Sequence, residues 1–242
     1  MKVLLINGSN RQKNTYGVLQ QIGEILKSRG NDVEIVNLFD YELKDCGGCD
    51  ETCIHNGGCG SWDGMAALKA KVLESDALVF GSPVYLQGVT SKFKTFADRT
   101  NGWVHNPELA GKPMLSVAVT AATGIKQTES FFNSYVTALG GRNGGFVGRA
   151  GGGLRNPVTK KELKKFLSLL TAGTGKYKPK AGELINFQVQ KVLASKFGGG
   201  NKDYWEKKEW LDKYYYYPCR IGPCKKLFSK MMNKILNKAI KV

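Results

Sequence analysis

No stretch of this 242-residue chain approaches the roughly 18 consecutive apolar residues that a membrane-spanning helix needs, so no such span is expected. Met1-Lys2 runs straight into an apolar tetrad with no leader, which leads to the expectation of a cytoplasmic protein without a signal peptide. The sequence contains neither G-x-G-x-x-G nor G-x-x-x-x-G-K-[ST], which excludes a dinucleotide fingerprint and a Walker loop. Without the first, nothing selects NADH over NADPH. The chain also shows no nucleophilic triad. Six cysteines in such a chain point to metal or redox chemistry rather than to a disulfide framework. Acidic residues are scarce in one region. Residues 156–242 hold 6 Asp+Glu against 20 Lys+Arg, whereas residues 1–155 hold 14 against 16. The formal net charge of +16 therefore sits almost wholly on the last third. This reads as a near-neutral domain with a basic extension, suited to anionic partners, among which nucleic acid is not expected.

What is present is organised around Gly8-Ser9-Asn10-Arg11-Gln12-Lys13-Asn14-Thr15. The unbroken apolar run 3–6 before it reads as a buried parallel strand. Residues 16–26 after it carry Val18, Leu19, Ile22, Ile25 and Leu26 at helical spacing. A strand that ends in small residues and feeds a helix aims backbone N–H groups at an anion. Ser9, Asn10, Asn14 and Thr15 add hydroxyl and amide donors, and Arg11 adds charge. Such a loop suits one terminal phosphate monoester, as in FMN. An ordinary polar-capped turn is the plain alternative. Residues 33–38 read as a second strand after the turn signal Gly30-Asn31-Asp32, which makes a βαβ unit and a parallel sheet.

Cys46, Cys49, Cys53 and Cys59 follow, with C-x2-C-x3-C-x5-C spacing in a Gly- and acid-rich loop, residues 45–60. Thiolates this close can converge on one centre. The spacing is too compact for the two knuckles of structural zinc and suits a [4Fe–4S] cluster better. Zinc, a redox-active disulfide and free thiols stay open. His55 reads as an exposed loop histidine. Asp63 stands where an N-cap belongs, before a helix reaching about residue 75.

The buried strand 77–80 runs into Ser82-Pro83-Val84-Tyr85-Leu86-Gln87-Gly88, and the strand 112–120 runs into Thr120-Ala121-Ala122-Thr123-Gly124. Ligands of open α/β sheets bind at such strand ends. Tyr85 offers a flat aromatic face, and Gly88 permits close backbone approach. Residues 128–139 read as a helix, 140–145 as a glycine-rich turn, 146–149 as a weak fifth strand, and 151–153 as a flexible junction. Residues 159–170 and 183–196 are further helices, one of which closes the domain.

The loop at residues 8–15, the segment Ser82-Pro83-Val84-Tyr85 and the later Ser91…Phe96-x-Asp98-Arg99 together resemble the NAD(P)H-dependent FMN reductase and iron–sulfur flavoprotein families, over roughly residues 1–150. The cysteine loop resembles the iron–sulfur flavoprotein motif C-x2-C-x2-C-x4–7-C but departs by one residue at Cys53. In those families a short segment follows the last cysteine, and Trp62-Asp63-Gly64-Met65 occupies that place. The resemblance implies a flavodoxin-like three-layer α/β sandwich with a five-stranded parallel sheet. It places FMN phosphate in the first loop, the isoalloxazine ring along Ser82, Pro83, Val84, Tyr85, Leu86 and Gly88, and further ring contacts at Thr120, Ala121, Thr123 and Gly124. Tyr85 is the side chain expected to face the substrate. Cys46, Cys49, Cys53 and Cys59 are the expected ligands. A homodimer or homotetramer is also implied.

Residues 1–197 are expected to form the FMN-binding domain and 198–242 a basic, aromatic-rich helical tail. Its last segment repeats Leu227-Phe228, Met231-Met232, Ile235-Leu236 and Ala239-Ile240 every four residues, with Lys225, Lys226, Lys230, Lys234, Lys238 and Lys241 between. That is a basic amphipathic helix, which either packs on its own protein or meets an acidic protein or a membrane surface. Cys219 and Cys224 have no assigned role. The functional expectation is an FMN-dependent oxidoreductase of the iron–sulfur flavoprotein type, with NAD(P)H or ferredoxin as donor. A cluster-free quinone or nitro reductase, and an electron carrier that docks through its tail, are the alternatives.

Overall fold

A computed structural model describes residues 1–49, 52–56, 59 and 63–240. Trp62 and Lys241, which figured in the expectations above, lie outside the described residues. The parallel strands are β1 (Lys2–Asn7), β2 (Asp32–Asn37), β3 (Ala77–Pro83), β4 (Pro113–Thr120) and β5 (Arg142–Ala150). They form a sheet in the order β2-β1-β3-β4-β5. This is the order of flavodoxin-like doubly wound sheets, and it places the topological switch between β1 and β3.

The apolar runs of β1, β3 and β4 are buried because the sheet is covered on both faces. Side chains alternate across a strand, so Val3 and Leu5 fall on one face and Leu4 and Ile6 on the other. On the first face Val3, Leu5, Val79, Leu115 and Val117 pack with α1 (Asn14–Lys27) and with Phe166 of α7 (Lys164–Thr171). On the second, Leu4, Ile6, Leu78, Phe80 and Met114 pack with α3 (Met65–Glu74), α4 (Ser91–Asp98) and α6 (Ile125–Ala138). Two short helices, α2 (Thr52–Asn56) and α5 (Gly102–His105), stand beside this second face.

The fifth strand differs from the sequence expectation. It begins at Arg142 and runs through the glycines that had read as a turn. The β4–β5 register shifts between Met114 and Ser116. Gly145 takes φ +113°, and a Cβ on Gly144 would meet the Met114 carbonyl at 2.9 Å and the Phe166 Cβ at 3.1 Å. Both positions thus require glycine, one for its dihedral and one for space, in an irregular ladder. Residues 151–153, expected as a flexible junction, open a 3-10 helix, Gly151–Arg155.

Past the sheet, α8 (Ala181–Phe197) packs with α9 (Gly199–Lys207) and α10 (Pro223–Ala239). A third core joins Leu184, Phe187 and Ala194 of α8 to Trp205, Trp210, Tyr215 and Tyr216. Apolar packing is therefore continuous across residue 197. The tyrosine run is buried at Tyr215 and Tyr216 because those rings close on Phe187, with centroids 5.8 and 4.7 Å away.

Candidate functional site

Three strand ends open into one cleft of about 430 Å³, lined by Ser9, Arg11, Lys13, Asn14, Thr15, Pro83, Val84, Tyr85, Leu86, Gln87, Val119, Thr120, Ala121, Ala122, Thr123 and Leu154. That volume falls in the ordinary range for small-molecule sites.

The first wall is built from buried Asn7 at the end of β1. Its amide donates to the Ser9 carbonyl (2.9 Å) and accepts from the Ser9 N–H (3.2 Å). The Ser9 hydroxyl accepts from the Arg11 N–H at 3.2 Å, which tightens the loop. The Gly8 N–H donates to the Gly81 carbonyl at 2.7 Å, and the Thr90 hydroxyl donates to the Gly8 carbonyl at 2.8 Å. A Cβ on Gly8 would lie 3.0 Å from the Gly81 carbonyl, so glycine is required here for close approach. The first turn of α1 has no side-chain cap and no acidic residue. Its N–H groups and dipole, with exposed Arg11 and Lys13, favour an anion.

The second wall is a tight turn. Tyr85 and Gly88 exchange N–H···O bonds of 3.0 Å in both directions, and Leu86 and Gln87 between them both take positive φ (45° and 66°). Non-glycine residues held there store local strain, which concentrates at functional loops. Tyr85 is 56% exposed and Leu86 fully exposed, so the lip presents two large side chains to incoming molecules. In the third wall, Gly124 takes φ +94° beneath Val84, whose Cγ1 would lie 2.6 Å from an added Cβ. The Gln87 amide donates to the Thr123 hydroxyl at 3.3 Å, joining the two loops.

Of the expected flavin residues, Ser9, Arg11, Asn14, Thr15, Pro83, Val84, Tyr85, Leu86, Thr120, Ala121 and Thr123 line the cleft. Asn10 is exposed and does not line it. Ser82, Gly88 and Gly124 shape the walls from behind; the Ser82 hydroxyl accepts from the Thr90 N–H at 3.0 Å. Sequence reasoning missed Asn7, Lys13, Gln87, Val119, Ala122 and Leu154. Leu154 packs against the first-face core, and the segment just after it is held by Arg149, whose guanidinium donates to the carbonyls of Asn156 and Pro157 and to Glu162. That pairing holds the Glu162 carboxyl down to about 2.

The cysteine loop lies at the far end of α4. Arg99 closes that helix, and its guanidinium is buried with Asp63; both side chains are 1% exposed. It donates to the two Asp63 carboxylate oxygens (2.7 and 3.0 Å), to the Lys44 carbonyl (2.6 Å) and, through Nε, to the Cys59 Sγ (3.1 Å). Asp63 also accepts from the Met65 N–H at 2.9 Å, but it stands one residue ahead of Gly64, which takes the N-cap position of α3. Burial raises the Cys53 thiol, with the charges of Cys49, Cys59 and Cys46 adding to it and an Asn101 hydrogen bond opposing. Cys46, Cys49, Cys53, Cys219 and Cys224 are free thiols, and among the described residues no group of three or more His, Cys, Asp or Glu is drawn together closely enough to hold a metal.

The tail reaches this site. The Asn201 amide donates to the His105 carbonyl and the Asn106 side-chain oxygen (2.8 Å each), the Asn106 amide donates to the Ile54 carbonyl (2.9 Å), and the Trp205 indole donates to the His105 carbonyl (2.7 Å). A Cβ on Gly199 would lie 3.1 Å from the His55 Nδ1, and one on Gly200 would overlap the His55 carbonyl oxygen. The two glycines that open α9 thus seat it directly on α2, the turn that carries Cys53.

Residues 1–147 match the family model described as NADPH-dependent FMN reductase. An iron–sulfur flavoprotein of Archaeoglobus fulgidus is 42% identical over 41% of this chain and 49% of its own length. A second from that organism is 37% identical over 58% and 64%. The chain thus spans about half to two thirds of those two relatives. An iron–sulfur flavoprotein of Methanocaldococcus jannaschii is 32% identical over 64% of this chain and 88% of its own. Among solved structures, RosB with bound 8-demethyl-8-formylriboflavin-5'-phosphate superposes with a TM-score of 0.58 at 14% identity, covering all of this chain and 90% of that one. At that identity the likeness speaks for the fold.

Proposed function

Because the chain belongs to the NADPH-dependent FMN reductase family, among its iron–sulfur flavoproteins, we propose that it is an oxidoreductase that moves electrons between a donor, FMN, a [4Fe–4S] cluster and an acceptor. The convergence of three strand-end loops on one cleft whose helix end favours a phosphate carries the flavin half of this reading. Arg11, Lys13 and the first N–H groups of α1 would hold the phosphate. The turn at residues 83–88 and the loop at 120–124 would hold the ring, with Tyr85 toward the second substrate. FMN accepts a hydride and can release its electrons singly. The chain's own task is to orient the ring and limit water around it.

The residues of the second site fit a cluster by their chemistry: four thiols fall within one 14-residue stretch, and Arg99 already donates to one sulfur. Cys46, Cys49, Cys53 and Cys59 would be the ligands, and a cluster there would accept and pass one electron at a time. Arg99 offsets thiolate charge, while buried Asp63 fixes its direction. The donor is NAD(P)H or ferredoxin, and a homodimer or homotetramer belongs to the same reading. A cluster-free quinone or nitro reductase is favoured by one observation, the spread of the thiols noted above.

The test is an absorption spectrum of anaerobically purified protein with iron and acid-labile sulfide assayed on the same sample. Flavin bands over a broad absorption bleached by dithionite, with about four irons per chain, carry the proposal. Flavin without iron leaves the cluster-free reductase. No flavin after incubation with FMN refutes both.

A further inference from the structure

The last helix is attached the wrong way round for a helix that serves its own core. Pro223–Ala239 forms α10, which lies along α8. Much of its attachment is polar. Ser229 is the residue that it buries fully, and the Asn233 amide donates to the Gln188 side-chain oxygen at 3.1 Å. Lys225 donates to the Pro179 carbonyl at one end, and Lys196 donates to the Asn237 and Ile240 carbonyls at the other. Phe228, Met232 and Leu236 are half-buried along the seam. Leu227, Met231 and Ile235 are not in it: they are 70%, 51% and 50% exposed.

These three stand four residues apart and make one straight apolar row on the outer side of the helix. Lys226, Lys230, Lys234 and Lys238 make a second row of the same spacing beside it, and all four are exposed. The chain has no Asp or Glu after Asp212. Among the described residues none of these lysines is in an ion pair, and Lys226 lies 5.8 Å over the Tyr214 ring.

We propose that the outer face of α10 docks the protein on an anionic membrane surface, with Leu227, Met231 and Ile235 entering the headgroup–acyl boundary and the lysine row meeting lipid phosphates. An apolar row beside a lysine row on one helix is what an interfacial helix requires. The charges are ammonium points without the planar, bidentate donors or aromatic anchors that mark a protein-binding hot spot. A second copy fits badly, because a two-fold contact through this face would bring its lysine row toward the same row of the partner.

The test is flotation of the FMN-loaded full chain with vesicles of phosphatidylcholine alone and of phosphatidylcholine with phosphatidylglycerol. The expected result is binding to the anionic vesicles only, weakened by added salt. Each Lys→Gln change at 226, 230, 234 or 238 should weaken partitioning by about fivefold, the equivalent of one juxtamembrane lysine. Combined Leu227→Ser, Met231→Ser and Ile235→Ser should abolish binding while flavin absorbance and far-UV dichroism stay unchanged. Equal binding by that triple variant would overturn insertion of the row. Absence of binding to anionic vesicles by the unmodified protein would overturn the proposal. So would a salt-sensitive complex with an acidic protein in place of vesicle binding, or a dimer in sedimentation that the triple variant dissociates.

Discussion

Replacing Asp63 by Asn should destabilise the protein through a charge it leaves behind. The carboxylate accepts four hydrogen bonds, two from Arg99 and one each from the N–H groups of Lys44 and Met65, at 2.7–3.0 Å. Its pKa is held at about 2, from 3.8, chiefly by the Arg99 hydrogen bonds. At ~1.4 kcal/mol per unit, that shift corresponds to about 2 kcal/mol of stability above the unfolded pKa. Removing one partner of a buried pair costs more, ~3–5 kcal/mol, because the other charge stays desolvated. With an m-value of about 3 kcal/mol/M for urea, the midpoint should fall by roughly 1 M at neutral pH. The sign with pH follows from the depressed value. The contribution is complete above pH 3.8 and is lost as pH falls from there to about 2. The gap between wild type and Asp63→Asn must therefore close on acidification. Urea titrations monitored by tryptophan fluorescence at pH 7 and at pH 3 check both points. A midpoint shift at pH 7 below about 0.3 M, at unchanged m, would refute the reasoning, since it would mean that the pair contributes no more than an exposed one.

Gly200→Ala should push α9 off the His55 carbonyl, cost about 1–3 kcal/mol of stability, and speed alkylation of Cys53 in cluster-free protein; unchanged alkylation kinetics would show that the tail does not brace the cysteine turn. Gly124→Ala combines a strained φ of +94° with a clash at Val84, and should lower FMN affinity by tenfold or more, about 1.4 kcal/mol, read by flavin fluorescence quenching. Glu162→Gln should loosen the Arg149 clamp on residues 156–157, next to Leu154 of the cleft, and weaken FMN binding by about tenfold, the loss of one charge-assisted bond, while leaving iron content alone.

The first loop and the two later strand ends were legible because short apolar strands and small-residue loops make a strong local pattern. Their convergence on one cleft then follows from a parallel sheet, which gathers all its strand ends at one edge. The β5 strand was not legible, since glycine carries no apolar period and the roles of Gly144 and Gly145 are set by Phe166 and by the β4 backbone. The triple glycine at 198–200 has no apolar period to mark it, yet two of its members are contact residues that must be small for α9 to reach α2. Leu154 reaches the cleft by packing on the first-face core, beside a segment that Arg149 and Glu162 hold, a relation with no sequence period. The tail helix was legible as amphipathic, but its orientation was not. Which face looks outward is decided by Ser229 and Asn233 meeting α8, a tertiary fact.

The two candidate sites are joined by one rigid element. At its start, Thr90 caps α4 by accepting from the Phe93 N–H at 3.2 Å, and its hydroxyl donates to the Gly8 carbonyl of the anion loop. Phe93 lies against Gly8, where an added Cβ would find the ring's Cβ at 3.1 Å. At its end, Arg99 holds Asp63, the Lys44 carbonyl and Cys59. The nine steps from Thr90 to Arg99 rise about 13 Å at helical pitch. Phe93 and Phe96 on the inner side are fully packed in the core, which prevents the helix from sliding. The separation of the Gly8 end of the strand-end cleft from the Arg99–Asp63 pair is therefore set by a core helix and not by the loops around either.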